Sequence, residues 1–253
     1  MKIVIPEFDD PMIREVVDTC KNVAIVPAKD LQTATDLVNS GTVDAMISGY
    51  KYSTRDVILA FKNNFPMSSE YFSSCFICSK NGHNLALADG GVNKDPTKEQ
   101  LYCIVEDTAK TYWDCFNNQP KIAMLSYSTN GSGGNNPDLE KIDYVISRVR
   151  ETHPDWLIDG EMQLDTATDF RVSEKKYPNS LIKGHANVLI VPDLNSGNIL
   201  YKSLEYLGGW KVAGPIVQGF TLPLADLSRG SAAENVKYTI EIIERLYNVR
   251  NNK

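Results

Sequence analysis

Apolar residues in this chain fall into short runs rich in β-branched side chains, separated by stretches with helical spacing. The runs Ile3–Ile5, Val23–Val26, Ala45–Ile47, Phe72–Ile77, Leu85–Leu87, Ile122–Leu125, Asn187–Val191 and Val212–Val217 have the length of buried strands. From Asp138 to Arg150, Leu139, Ile142, Val145, Ile146 and Val149 fall on one helical stripe, and Val236, Ile240, Ile243 and Tyr247 repeat that pattern near the end. Strands alternating with helices predict an α/β fold built from parallel βαβ units.

Charge narrows the function classes. The 253 residues carry a formal net charge of −6, which argues against a nucleic-acid partner, because such proteins gather Lys and Arg into stripes. No apolar run approaches the ~20 residues of a membrane span, and Met1–Pro6 lacks the pattern of a secretion signal. A cytoplasmic protein without a membrane partner is expected. Cys75 and Cys78 form a C-x-x-C within a strand candidate. Positions i and i+3 of a strand face opposite sides, so these residues read as buried thiols. His83, His153 and His185 have no carboxylate or cysteine at ligand spacing, and no metal is expected.

Three segments could carry chemistry. In Lys121–Pro137, a strand candidate runs into the loop Ser126, Ser128, Thr129, Gly131, Ser132 and Gly133, followed by Asn136 as a helix N-cap and Pro137 in the first turn. Glycines and a helix start could cradle an anion, or simply form a long turn. In Asp226–Ser231, Ser228 and Arg229 suit a phosphate or acyl phosphate, since Arg binds such groups bidentately. Ser231 and Glu234 have capping-box spacing, and a surface ion pair is the plain alternative for Arg229. In Val191–Asn198, the turn residues Asp193, Asn195, Gly197 and Asn198 follow a strand candidate at the edge where open α/β sheets bind ligands. Asx turns account for Asp193 and Asn195 equally well.

These residues carry a resemblance. Leu125–Gly133, Leu157–Asp165, Val188–Asn198, Val212–Gly219 and Asp226–Gly230 closely resemble, in order, segments of the phosphotransacetylase (phosphate acetyl/butyryltransferase) family. Weaker matches lie at Asp89–Gln100, Val43–Gly49 and Ile3–Glu7. The resemblance implies two α/β/α lobes with a cleft between them, as in isocitrate dehydrogenase-like folds. Residues 1–70 plus 216–253 would form one lobe, shortened relative to the family, and 71–215 the other. It implies reversible acetyl transfer between coenzyme A and phosphate, with acetyl-CoA and acetyl phosphate as the other substrates. It further implies no tightly bound cofactor, and a homodimer. Gln218 and Gly219 join the substrate-binding set on the same ground.

The resemblance also assigns roles. Ser228 would stabilise the tetrahedral intermediate and Arg229 would hold phosphate, both converging with the Thr129 turn. The family's thiol base, an aspartate in the last helix, is matched here by Asn235, whose amide cannot act as a general base. A substrate arginine of the family is matched by Leu59, with Arg55 one turn earlier, and Gly90 stands where a cysteine is common. Two readings follow: an acetyl- or butyryl-transferring enzyme slowed by the missing base, or a non-catalytic relative that binds coenzyme A or an acyl phosphate.

Overall fold

The structure, a computed structural model, describes residues 1–251. Its strands are β1 (Lys2–Ile5), β2 (Ala24–Pro27), β3 (Ala45–Ser48), β4 (Ser73–Lys80), β5 (His83–Ala88), β6 (Lys121–Leu125), β7 (Leu157–Met162), β8 (Val188–Ile190), β9 (Lys211–Gln218) and β10 (Leu224–Asp226). The α-helices are α1 (Pro11–Asp18), α2 (Leu31–Asn39), α3 (Thr54–Asn64), α4 (Lys98–Phe116), α5 (Pro137–Thr152), α6 (Leu164–Thr168), α7 (Phe170–Lys176), α8 (Leu194–Lys202) and α9 (Ala233–Asn251), with a π-helical segment at Ser203–Leu207. All eight expected strands are present with slightly moved ends. Two were not expected: β7, whose centre is the polar run Asp159-Gly160-Glu161, and β10, only three residues long. Neither has the unbroken apolar run that marks a buried strand.

All strands lie in one sheet, ordered β2-β1-β3-β10-β9-β4-β5-β8-β6-β7. The expected parallel βαβ units are present on both sides, and the pairing turns antiparallel between them. The set β2-β1-β3-β10 is parallel, and so is β5-β8-β6-β7, but the pairs β10–β9, β9–β4 and β4–β5 are antiparallel. The cause is local for β4 and β5. Their two connecting residues, Asn81 and Gly82, both have positive φ, the geometry of a two-residue hairpin turn.

The two parallel sets therefore run in opposite directions. They come level at one row of paired residues, Ile47, Ala225, Ile216, Cys75, Ala88, Ile190 and Met124. This row lies near the C-terminal ends of β3 and β10 on one side and of β5 and β8 on the other. Loops leaving both sets consequently meet over the middle of the sheet, where ligands bind in open α/β folds.

Alternate strand residues bury opposite faces. Ile3, Ile5, Cys75, Ile77, Ala86 and Ala88 pack with α1, α4, α5 and α9, while Val4 and Met46 pack with α2 and α3, and Phe76, Cys78 and Leu87 pack with Tyr201 of α8. Cys75 and Cys78 thus sit in different cores, and burial pushes both thiols up. Asn136 caps α5 by accepting from the Asp138 amide, with Pro137 in its first turn.

Candidate active site

A cavity of about 180 Å³ lies where the loops meet, lined by Gly49, Tyr52, Thr54, Asp226, Leu227, Ser228 and Arg229 from one set of strands. From the other side come Phe76, Gly90, Gly91, Asn198, Tyr201 and Pro215. Phe76 and Tyr201 stack with ring centroids 3.7 Å apart and planes 15° off parallel. The buried Asp89 carboxylate builds the adjoining turn, accepting from the Gly91, Val92 and Asn93 amides and from the Ser74 hydroxyl.

Two buried carboxyls, Asp226 within the lining and Glu7 outside it, meet at Gly49. Glu7, after β1, accepts through Oε1 from Ser48 Oγ at 3.0 Å and from the Gly49 amide at 2.8 Å. Asp226, at the end of β10, has an Oδ1 packed against Gly49 with no hydrogen-bond partner among the described residues, and Glu7 Oε2 is likewise unpartnered among them. Burial above all, with Glu7 adding to it, pushes the Asp226 carboxyl up to about 7, against the pull of Thr54 and Arg229.

Beside this pair stand Ser228 and Arg229. Among the described residues, Ser228 Oγ accepts only a long bond, 3.4 Å from the Gly230 amide. The exposed Arg229 guanidinium makes no hydrogen bond or ion pair with any described residue. A free guanidinium and a free hydroxyl at the mouth of a polar cavity form a receptor for an oxyanion.

The phosphate acetyl/butaryl transferase family model matches residues 12–243. The chain belongs to that family. It is 38% identical over 221 residues to a phosphate acetyltransferase of Clostridium acetobutylicum, covering 84% of this chain and 66% of that protein. A Bacillus subtilis phosphate acetyltransferase is 37% identical over 83% of this chain and 64% of its own length. The chain thus spans about two thirds of the length of these curated relatives. A crystal structure of a Streptococcus pyogenes phosphotransacetylase superposes with TM-score 0.86 at 28% identity, covering 98% of this chain and 94% of that one. A 4-hydroxythreonine-4-phosphate dehydrogenase from Klebsiella pneumoniae, at TM-score 0.56 and 11% identity, shares the fold over 97% of this chain and 90% of its own. The architecture is the dehydrogenase-like α/β fold.

In this family member the remaining expected residues are scattered. The convergence of Ser228 and Arg229 with the Thr129 turn is not found, since no residue of Ser126–Gly133 lines the cavity. The loop's donors are turned inward. Glu161 Oε1 accepts from Ser128 Oγ at 2.8 Å and from the Gly131 amide at 2.7 Å. The Thr129 amide donates to Ser132 Oγ, the Gly133 amide to Ser128 Oγ, and the Asn130 amide to the Glu161 carbonyl. The Glu161 carboxylate takes up the Ser128 and Gly131 donors, so the loop is a self-braced turn in this structure.

Helix α8 separates that loop from the cavity. Ser196 and Leu200 face a second pocket with Ser126, while Asn198 and Tyr201 face the first. Asp193 caps α8 through the Ser196 amide, which accounts for it without a ligand, and Asn195 is exposed. Gly197 allows the helix to touch Asp89 and Gly90, where a Cβ would overlap the Asp89 carbonyl. Asn198 donates to the Gly90 carbonyl at 3.3 Å.

Gln218, Gly219 and Asn235 also lie outside this cavity. Gln218 is bound to Ser73, Thr108 and Thr111, and with Gly219 lines a different pocket beside α4. Because β9 and β10 are antiparallel, with Leu224 opposite Val217, Gln218 and Ser228 lie roughly five residues, or about 16 Å, apart along the strands. Asn235 is buried away from the cavity, accepting from the Val212 amide and donating to Glu205. Helix α9 begins at Ala233, so Ser231 precedes the cap position and forms no capping box with Glu234. Arg55 does not line the cavity. Asp226, Thr54, Tyr52 and Tyr201 were missed as cavity residues. Asp226 had one signal available, its place two residues before Ser228 at the end of an apolar run.

Proposed function

We propose that the chain transfers an acetyl group reversibly between coenzyme A and phosphate, forming acetyl phosphate and free coenzyme A from acetyl-CoA and phosphate. Family membership supports the reaction class. The observation that carries its location is the unpaired Arg229 guanidinium beside Ser228 at the cavity between the two parallel sets. Arg229 binds the phosphate oxygens in a fork. Ser228 donates to the oxygen that becomes negative when the carbonyl carbon turns tetrahedral, a contribution worth about 10²–10³ in rate. Asn198 and the Gly90–Gly91 turn close the opposite wall. The proposal includes a lobe of 1–70 plus 216–253 facing a lobe of 71–215, and a cytoplasmic homodimer.

The test is phosphate-dependent release of the coenzyme A thiol from acetyl-CoA. Arg229→Ala is expected to raise the KM for phosphate about 10- to 100-fold, the worth of a charged hydrogen bond, with unchanged thermal unfolding. Phosphate saturation identical to that of the wild type would remove Arg229 from the site. Comparing acetyl-CoA with butyryl-CoA fixes the acyl preference.

A further inference from the structure

We propose that Asp226 takes the proton of the coenzyme A thiol during acetyl transfer, the task that Asn235 cannot perform. This rests on the acetyl-transfer reading above. A thiol with an ordinary value near 8.5 is mostly protonated at neutral pH and must lose its proton to attack a carbonyl.

The geometry favours one group. Asp226 lines the same cavity as Ser228 and Arg229, is 2% exposed, and leaves Oδ1 without a hydrogen-bond partner among the described residues. A carboxylate so poorly solvated gains by taking a proton. The groups facing it are Glu7 from the turn after β1, Thr54 at the start of α3, and Arg229 following β10. Among the lining residues of the α8 side, Asn198 and Tyr201 carry the polar side-chain groups. The competitors fail on position or chemistry. Glu205 is bound to Asn235, and Glu7 does not line the cavity and spends Oε1 on Ser48 and Gly49. Burial pushes the Tyr52 phenol up, so it stays protonated near neutrality. Asp226 itself, raised to about 7, stands close to the working pH at which a general base is most effective.

The step balances. As sulfur bonds to the carbonyl carbon of acetyl phosphate, its proton passes to the Asp226 carboxylate. The tetrahedral adduct collapses with cleavage of the bond from carbonyl carbon to phosphate oxygen. Asp226 then returns the proton to the departing phosphate, which leaves as hydrogen phosphate alongside acetyl-CoA.

The experiment is the pH profile of kcat/KM for coenzyme A, with acetyl phosphate saturating, for wild type, Asp226→Asn and Glu7→Gln. The wild type is expected to lose activity on an acidic limb near pH 7. Asp226→Asn should cut kcat/KM by about 10²–10⁴ and abolish the limb, with the KM for acetyl phosphate within about threefold of wild type, a spread too small for lost phosphate binding. Glu7→Gln removes a neighbouring negative charge and should move the limb to lower pH. An Asp226→Asn protein that keeps the wild-type rate and limb overturns the inference. Should that variant fail to fold, a limb unmoved in Glu7→Gln overturns it equally. A wild-type chain that forms no acetyl-CoA at any pH defeats the acetyl-transfer reading itself, an outcome distinct from an active wild type indifferent to Asp226.

Discussion

Asn235 and Glu205, thirty residues apart in sequence, are joined by a hydrogen bond of 2.7 Å from Nδ2 to Oε1. The same amide accepts from the Val212 backbone at 3.0 Å. It ties the start of α9 to β9 and to the π-helical turn, and both of its polar ends are spent on that joint. Burial pushes the Glu205 carboxyl up, and Asn235 partly opposes this by donating to it.

Placing an aspartate at this position is therefore expected to damage the joint. Asn235→Asp sets two carboxylates against each other and leaves Glu205 without its donor, costing on the order of 1–3 kcal/mol. The cost should shrink below about pH 5, where carboxyls take up protons. Adding Glu205→Gln supplies a new donor and should recover most of the loss. Urea unfolding of the two single variants and the double variant measures the coupling. Stability of Asn235→Asp equal to wild type at pH 7.5 would show that the joint does not depend on the amide.

Asp226 should make stability depend on pH. Its folded carboxyl is raised to about 7, above an ordinary aspartate near 3.9. The protonated form is thus favoured by folding. Its contribution is complete below about pH 4 and is lost as pH rises through 7, a change on the order of 4 kcal/mol. Asp226→Asn mimics the protonated form and should flatten this decline, unfolding at a higher temperature than wild type at pH 8. Parallel pH curves for the two proteins would contradict the argument.

Gly49 admits no side chain. Its φ is +105°, and a Cβ there would overlap Asp226 Oδ1 and lie 2.6 Å from the Leu227 carbonyl oxygen. Backbone strain and overlap together predict that Gly49→Ala costs on the order of 3 kcal/mol or more, with loss of soluble yield. An unfolding midpoint equal to that of wild type would show that the wall of the cavity can yield.

Much of the fold was legible locally. Strand runs, the stripe of α5 and its Asn136–Pro137 start are written in spacings shorter than one element, and each appears where those spacings put it. The antiparallel centre was harder to see, because direction depends on the Asn81-Gly82 turn and on pairings between distant strands. In the candidate site, Ser228, Arg229 and Asn198 were visible as residue types in a suitable loop. The inward-turned glycine loop was not, because the carboxylate that fills it comes from Glu161, thirty residues further on.

Periodicity by itself determined the α/β class, the resemblance of ordered segments pointed to the family, and residue chemistry named the arginine and serine most suited to an oxyanion. Tertiary structure alone decided which of the other polar groups remain available. Asn235, Gln218 and Ser128 are consumed by partners from other elements, whereas Asp226 is stranded beside Glu7 with an oxygen unbonded. The reason is that a side chain's local spacing sets its direction along a helix or strand, while its hydrogen-bond partners and its solvation are set by whichever distant segment packs against it.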